Sequence, residues 1–124
     1  MDTNILYTEI GRMAYAIAKS NGEVKEKEIE HVFNFIDEEI KSSGTTEVMY
    51  LGAEFNKLRK MNASARDAFG MFFSFLENHG NNIQQRIKNM CIRLAIHIAA
   101  TDESVDETEI AIINKLRKKL ELSS

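Results

Sequence analysis

The chain contains no proline, where average usage of about 5% would place roughly six in 124 residues. No ring removes a backbone donor, so long uninterrupted helices are expected. Tryptophan is also absent, and the single cysteine, Cys91, excludes an internal disulfide. It lies on an apolar helical run and is expected to be a buried, inert thiol. The six glycines form no Gly-x-Gly phosphate loop. No basic segment leads into an apolar run at the start, and no stretch approaches about 18 consecutive apolar residues. A soluble, cytoplasmic protein without membrane insertion is therefore expected. The formal net charge of -3 and the pI near 5.6 leave no broad basic surface, so nucleic acid is not an expected partner. Lys115, Arg117, Lys118 and Lys119 are the local exception. They fall in the last turns of a helix that begins with acids, which complements the helix dipole.

What the chain does have is helical periodicity. Residues 5–20 carry Leu6, Ile10, Met13, Ala14 and Ile17 at helical steps, and Asn21-Gly22 then suits a left-handed helix end. A second helix over residues 25–41 places Ile29, Val32, Phe33, Ile36 and Ile40 on one face, with Asp37, Glu38, Glu39 and Lys41 outside. Residues 42–46 read as a loop. Residues 47–61 carry Val48, Leu51, Phe55 and Leu58, and residues 63–78 carry Phe69, Phe72, Phe73 and Leu76. Met71 and Phe75 lie off that last stripe, which calls for either deep burial or a partner surface.

The run over residues 82–120 is expected to organise the rest. Ile83, Ile87, Met90, Leu94, Ala95, Ile98 and Ala99 form one apolar stripe, Ile92 and Ile96 add apolar surface beside it, and Asn82 with Gln85 has the spacing of a capping box. The helix is expected to be enclosed on most sides, at the centre of the core.

The two ends of the chain superpose at a constant offset. Ala14, Ile17, Ala18, Asn21, Val24, Glu28, Ile29 and Val32 fall on Ala95, Ile98, Ala99, Asp102, Val105, Glu109, Ile110 and Ile113. Each half is an apolar helix, an acidic turn and an amphipathic helix. The reading is an all-α single domain over residues 1–124, a helical bundle of about six helices built from two pseudo-repeated hairpins about a pseudo-twofold axis.

The doubled pattern Ala-x-x-x-Ala-x-x-Asn/Asp-x-x-Val-x-x-x-Glu resembles the TerB-like domains, which include the tellurite-resistance protein TerB and the amino-terminal region of the DjlA co-chaperone. The resemblance covers residues 11–36 and 90–123. It implies a compact all-helical, non-enzymatic domain tied to bacterial stress response or membrane-linked complexes, binding divalent cations. The family's turn usually reads Asp-Gly, followed by a small hydroxyl or acidic residue at the next helix start. Here the first turn has Asn21-Gly22 with Lys25, and the second Asp102-Glu103 with Asp106.

Two explanations of the acidic turns stand side by side. In the first, Asp106 caps a helix with Glu109 as its capping-box partner and Val105 and Ile110 as a hydrophobic staple. The first turn repeats this with Glu28, Val24 and Ile29. Capping leaves Asp102 and Glu103 unexplained, because acids are unfavourable at a helix carboxyl end by about 0.3–1 kcal/mol. In the second explanation, Asp102, Asp106 and Glu109 gather a weakly bound calcium or magnesium ion, with Asn21 and Glu28 as the counterpart at the first turn. An EF-hand is excluded, since counting from Asp102 puts Glu107 where glycine belongs.

Glu28 and His31 form a Glu-x-x-His pair, but a di-iron bundle needs a second pair and two further glutamates. His97, one turn after Arg93, reads as a surface or satisfied histidine, and His79 falls in a turn. The expected ligand is a protein partner or a second copy of the chain. The alternative is a metal-dependent enzyme on the same bundle, which inward-facing carboxylates and histidines in one cluster would favour.

Overall fold

The computed structural model describes residues 2–20, 22–100 and 107–122, apart from the side chains of residues 108, 109 and 122. Six α-helices follow in order: α1 (Thr3–Lys19), α2 (Glu26–Ser43), α3 (Met49–Met61), α4 (Ala65–His79), α5 (Gln85–Ala99) and α6 (Glu107–Leu122), with a 3-10 turn (Gly80–Asn82) before α5. No strand occurs among the described residues, so the all-α expectation is met.

Local chemistry sets the boundaries. Asp2 caps α1 by accepting from the Asn4 amide at 2.8 Å, and Ser64 caps α4 by accepting from the Asp67 amide at 3.0 Å. Gly44 ends α2 in the left-handed region at φ 72°, where its N–H donates to the Ile40 carbonyl at 2.9 Å. Asn62 does the same for α3 at φ 51°. The expected capping box at Asn82 is not formed. Asn82 lies inside the 3-10 turn, and α5 begins after an extended Gln84 with no side-chain cap. Ile83 explains the delay: its burial takes the chain through extended geometry at φ -91°, ψ 125° before a helix can start.

α1, not α5, lies at the centre of the core. Every residue from Met13 to Ala18 is buried, and the helix packs against α3, α4 and α5. Gly11 permits the closest approach, since a Cβ there would collide with the Leu51 carbonyl of α3. The Tyr15 hydroxyl donates to the Ala63 carbonyl at 2.7 Å and its ring meets Phe55 edge-on. α5 buries its predicted stripe against α1, α2 and α6 but leaves Ile96 exposed, so it is not enclosed on most sides. The cause lies in the middle of the chain. Val48, Leu51, Phe55, Leu58, Phe72 and Leu76 are all buried, and their helices wrap α1.

The repeat is therefore only half expressed. Ala14, Ala18, Ala95 and Ala99 are buried and α1 packs on α5, as the small-residue faces require. The surroundings are not equivalent, because α5 carries α2 and α6 whereas α1 carries α3 and α4. α6 docks through its second half, burying Leu116 and Leu120, and Ile110 near its start is exposed. In α4, Phe75 is buried, one of the two outcomes its place off the stripe allowed, Phe69 and Phe73 are half-buried, and Met71 is exposed. Phe69 and Phe73 stack at 5.6 Å, and Lys115 and Lys119 of α6 lie over the Phe73 ring at 5.4 and 5.8 Å, so α6 covers much of the aromatic surface.

Candidate functional site

Of the five residues expected to hold a cation, only Glu28 falls wholly among those the structure describes. Asn21, Asp102 and Asp106 lie outside the described residues, as does the side chain of Glu109. Glu28 is buried at the third position of α2, and its Oε1 accepts the Lys25 amide at 2.8 Å. Lys25 takes the extended geometry of an N-cap at φ -89°, ψ 152°, and Val24 and Ile29 are half-buried against the core. The carboxylate half of the capping box is thus present at the first turn despite the lysine.

The helices that bear the turns have a defined relation. His31 of α2 meets His97 of α5, Phe35 lies under the Arg93 guanidinium at 5.9 Å, and Glu39 accepts from Arg86 at 3.1 Å. The two helices are therefore antiparallel, and the chain leaves α5 at the end of the bundle at which α2 begins.

Three further carboxylates face inward, and sequence periodicity missed their role. Glu39, expected on the outside of α2, is buried and paired with Arg86. That arginine also lies beside Tyr7, whose hydroxyl is raised above its ordinary range chiefly by burial and then by Glu39. Glu9 and Glu54 share Arg12: Nη1 donates to Glu9 Oε2 at 2.6 Å and Nε to Glu54 Oε2 at 2.7 Å. Lys57 completes Glu54 at 3.2 Å. Burial raises the Glu9 carboxyl above its usual range, and Arg12 only partly offsets this. Its Oε1 is buried and has no hydrogen-bond partner among the described residues. The available signal was an acid beside Ile10 on the apolar side of a helix, three residues before an arginine.

Beside this network lies an exposed apolar face. Ile5 and Tyr50 are 53% and 48% exposed and line one groove together with Glu9 and Arg12. Among the described residues no three His, Cys, Asp or Glu side chains gather as a metal would require, and no helix is long and apolar enough to cross a membrane. Cys91 is buried as expected, and burial pushes its thiol up to about 12.

A family model described as tellurite resistance protein TerB matches residues 9–124. No curated protein and no solved structure matches the chain.

Proposed function

The chain belongs to the tellurite resistance protein TerB family, and from that membership we propose that it acts as a non-enzymatic binding module of a cytoplasmic stress response. It engages a protein partner, or a second copy of itself, and takes up calcium or magnesium weakly at its acidic turns. One observation favours this over a metal-dependent enzyme on the same bundle. The inward-facing carboxylates are spoken for at three different places: Glu9 and Glu54 share the Arg12 guanidinium, Glu28 accepts the Lys25 amide and Glu39 accepts from Arg86.

Two features support binding. The exposed Ile5 and Tyr50, which line one groove, give a partner an apolar anchor. At the second turn, Asp102, Asp106 and Glu109 supply oxygen ligands of the kind hard cations take, and a cation there offsets the unfavourable acid next to the end of α5.

The cation is tested by thermal unfolding with calcium or magnesium against a control of matched ionic strength. A rise in Tm beyond the control, lost in Asp102→Asn, is expected. An equal response to the inert salt removes the cation from the proposal. The anchor is tested by Tyr50→Asp, which abolishes self-association in sedimentation or capture of a purified partner, while helix content stays constant.

A further inference from the structure

The Glu-x-x-His spacing of α2 does not bring its two residues to one site. Glu28 turns back to the Lys25 amide, whereas His31 faces the histidine of another helix. The rings of His31 and His97 have centroids 6.5 Å apart with planes at 71°, and both residues are exposed. Two further side-chain contacts join the same antiparallel pair of helices: Glu39 binds Arg86 at 3.1 Å and Arg93 covers Phe35.

We propose that His31 and His97 form a two-imidazole site for a late first-row divalent transition ion such as zinc or nickel, with water in the remaining positions. Imidazole is a favoured ligand of these ions, whereas calcium and magnesium require oxygen. A zinc–nitrogen bond of about 2.0–2.1 Å puts the ion roughly 3.2 Å from each ring centre, so two rings at a tetrahedral angle stand roughly 5 Å apart. The observed 6.5 Å is about 1.5 Å wider, so taking up the ion turns the two exposed rings toward one another. A groove of about 370 Å³ adjoins both rings and gives room for bound water beside Asn34, one turn after His31. No third His, Cys, Asp or Glu joins the pair among the described residues, so the ion is held by two protein ligands with modest affinity. Its effect is a clamp between α2 and α5. This chemistry is separate from that of the acidic turns, and either can fail without the other.

The test is calorimetry and thermal unfolding of the untagged full chain titrated with zinc chloride and, separately, nickel chloride. One ion per chain and a raised Tm are expected for the wild type. His31→Ala and His97→Ala should each weaken nickel binding by about tenfold or more and remove the gain in Tm. His79→Ala and Asp102→Asn should leave nickel binding unchanged. Helix content by circular dichroism checks that the histidine variants fold. Binding that survives both histidine substitutions, binding lost only in Asp102→Asn, or no binding at millimolar metal overturns the proposal.

Discussion

Arg12 of α1 donates its Nε to Glu54 Oε2 of α3 at 2.7 Å, joining two helices through a pair that is nearly closed to solvent on the glutamate side. The same guanidinium holds Glu9, so one cation answers two buried acids. Arg12→Met should therefore cost about 3 kcal/mol or more in urea unfolding, because it leaves both carboxylates without their shared cation. Adding Glu54→Gln to that variant should restore part of the loss. If the double variant is less stable than Arg12→Met alone, the charge argument fails.

The raised carboxyl of Glu9 gives a pH dependence of definite sign. The folded chain retains this proton at pH values where the unfolded chain has released it, so folding is linked to proton uptake. The contribution of Glu9 is most favourable below its ordinary value of 4.5 and is lost as pH rises through the higher folded value. Subtracting the stability of Glu9→Gln from that of the wild type across acidic pH should isolate a term that falls with rising pH and then levels. A term that rises would assign Glu9 to the usual stabilised carboxylates.

Much of the fold was legible because helix periodicity and end signals are local. Leu94 and Ile98, placed on the buried stripe from spacing alone, are fully buried, and α2 ends at Ser43, within two residues of the expected end. The failures come from contacts distant in sequence. Glu54 is 42 residues from Arg12, and nothing in either segment indicates the pairing. The primacy of α1 over α5 depends on α3 and α4 wrapping it. Of the candidate cation site, only the capping role of Glu28 can be compared with the geometry. The approach of His31 to His97 follows from the antiparallel docking of α2 on α5, which neither segment encodes by itself.

Core truncation gives a direct measure of the packing. Leu94→Ala or Ile98→Ala should each cost about 2–5 kcal/mol, since both side chains are closed to solvent. Gly11→Ala probes the opposite fault. Alanine gains about 1 kcal/mol of helix propensity, but its Cβ meets the Leu51 carbonyl and lies 3.1 Å from Glu54 Cβ, so a net loss of about 1–3 kcal/mol is expected. A stabilised Gly11→Ala would mean that α1 and α3 pack less closely than described.

Cys91 reports on global opening. Its thiol is buried and pushed up to about 12, so the native chain at pH 8 holds almost no accessible thiolate. Modification by a disulfide reagent should follow the rate or extent of unfolding and accelerate in Leu94→Ala, one turn away. Rapid modification of the native protein would place the cysteine on a locally opening element instead.

The second acidic turn separates helix capping from cation binding through two substitutions. If Asp106 caps α6, Asp106→Ala lowers stability by about 0.5–2 kcal/mol whether or not a divalent cation is present. Asp102→Asn is then neutral or slightly stabilising, because a negative charge leaves the vicinity of the α5 carboxyl end. If the turn binds a cation, Asp102→Asn leaves the metal-free stability nearly unchanged but removes the rise in Tm that calcium produces. The first turn should respond more weakly, since Asn21 replaces an acid, Lys25 brings positive charge, and Glu28 is already engaged by the Lys25 amide at 2.8 Å. Glu28→Gln should therefore lower stability equally with and without calcium. A calcium response lost in Glu28→Gln and kept in Asp102→Asn would reverse the order of the two turns.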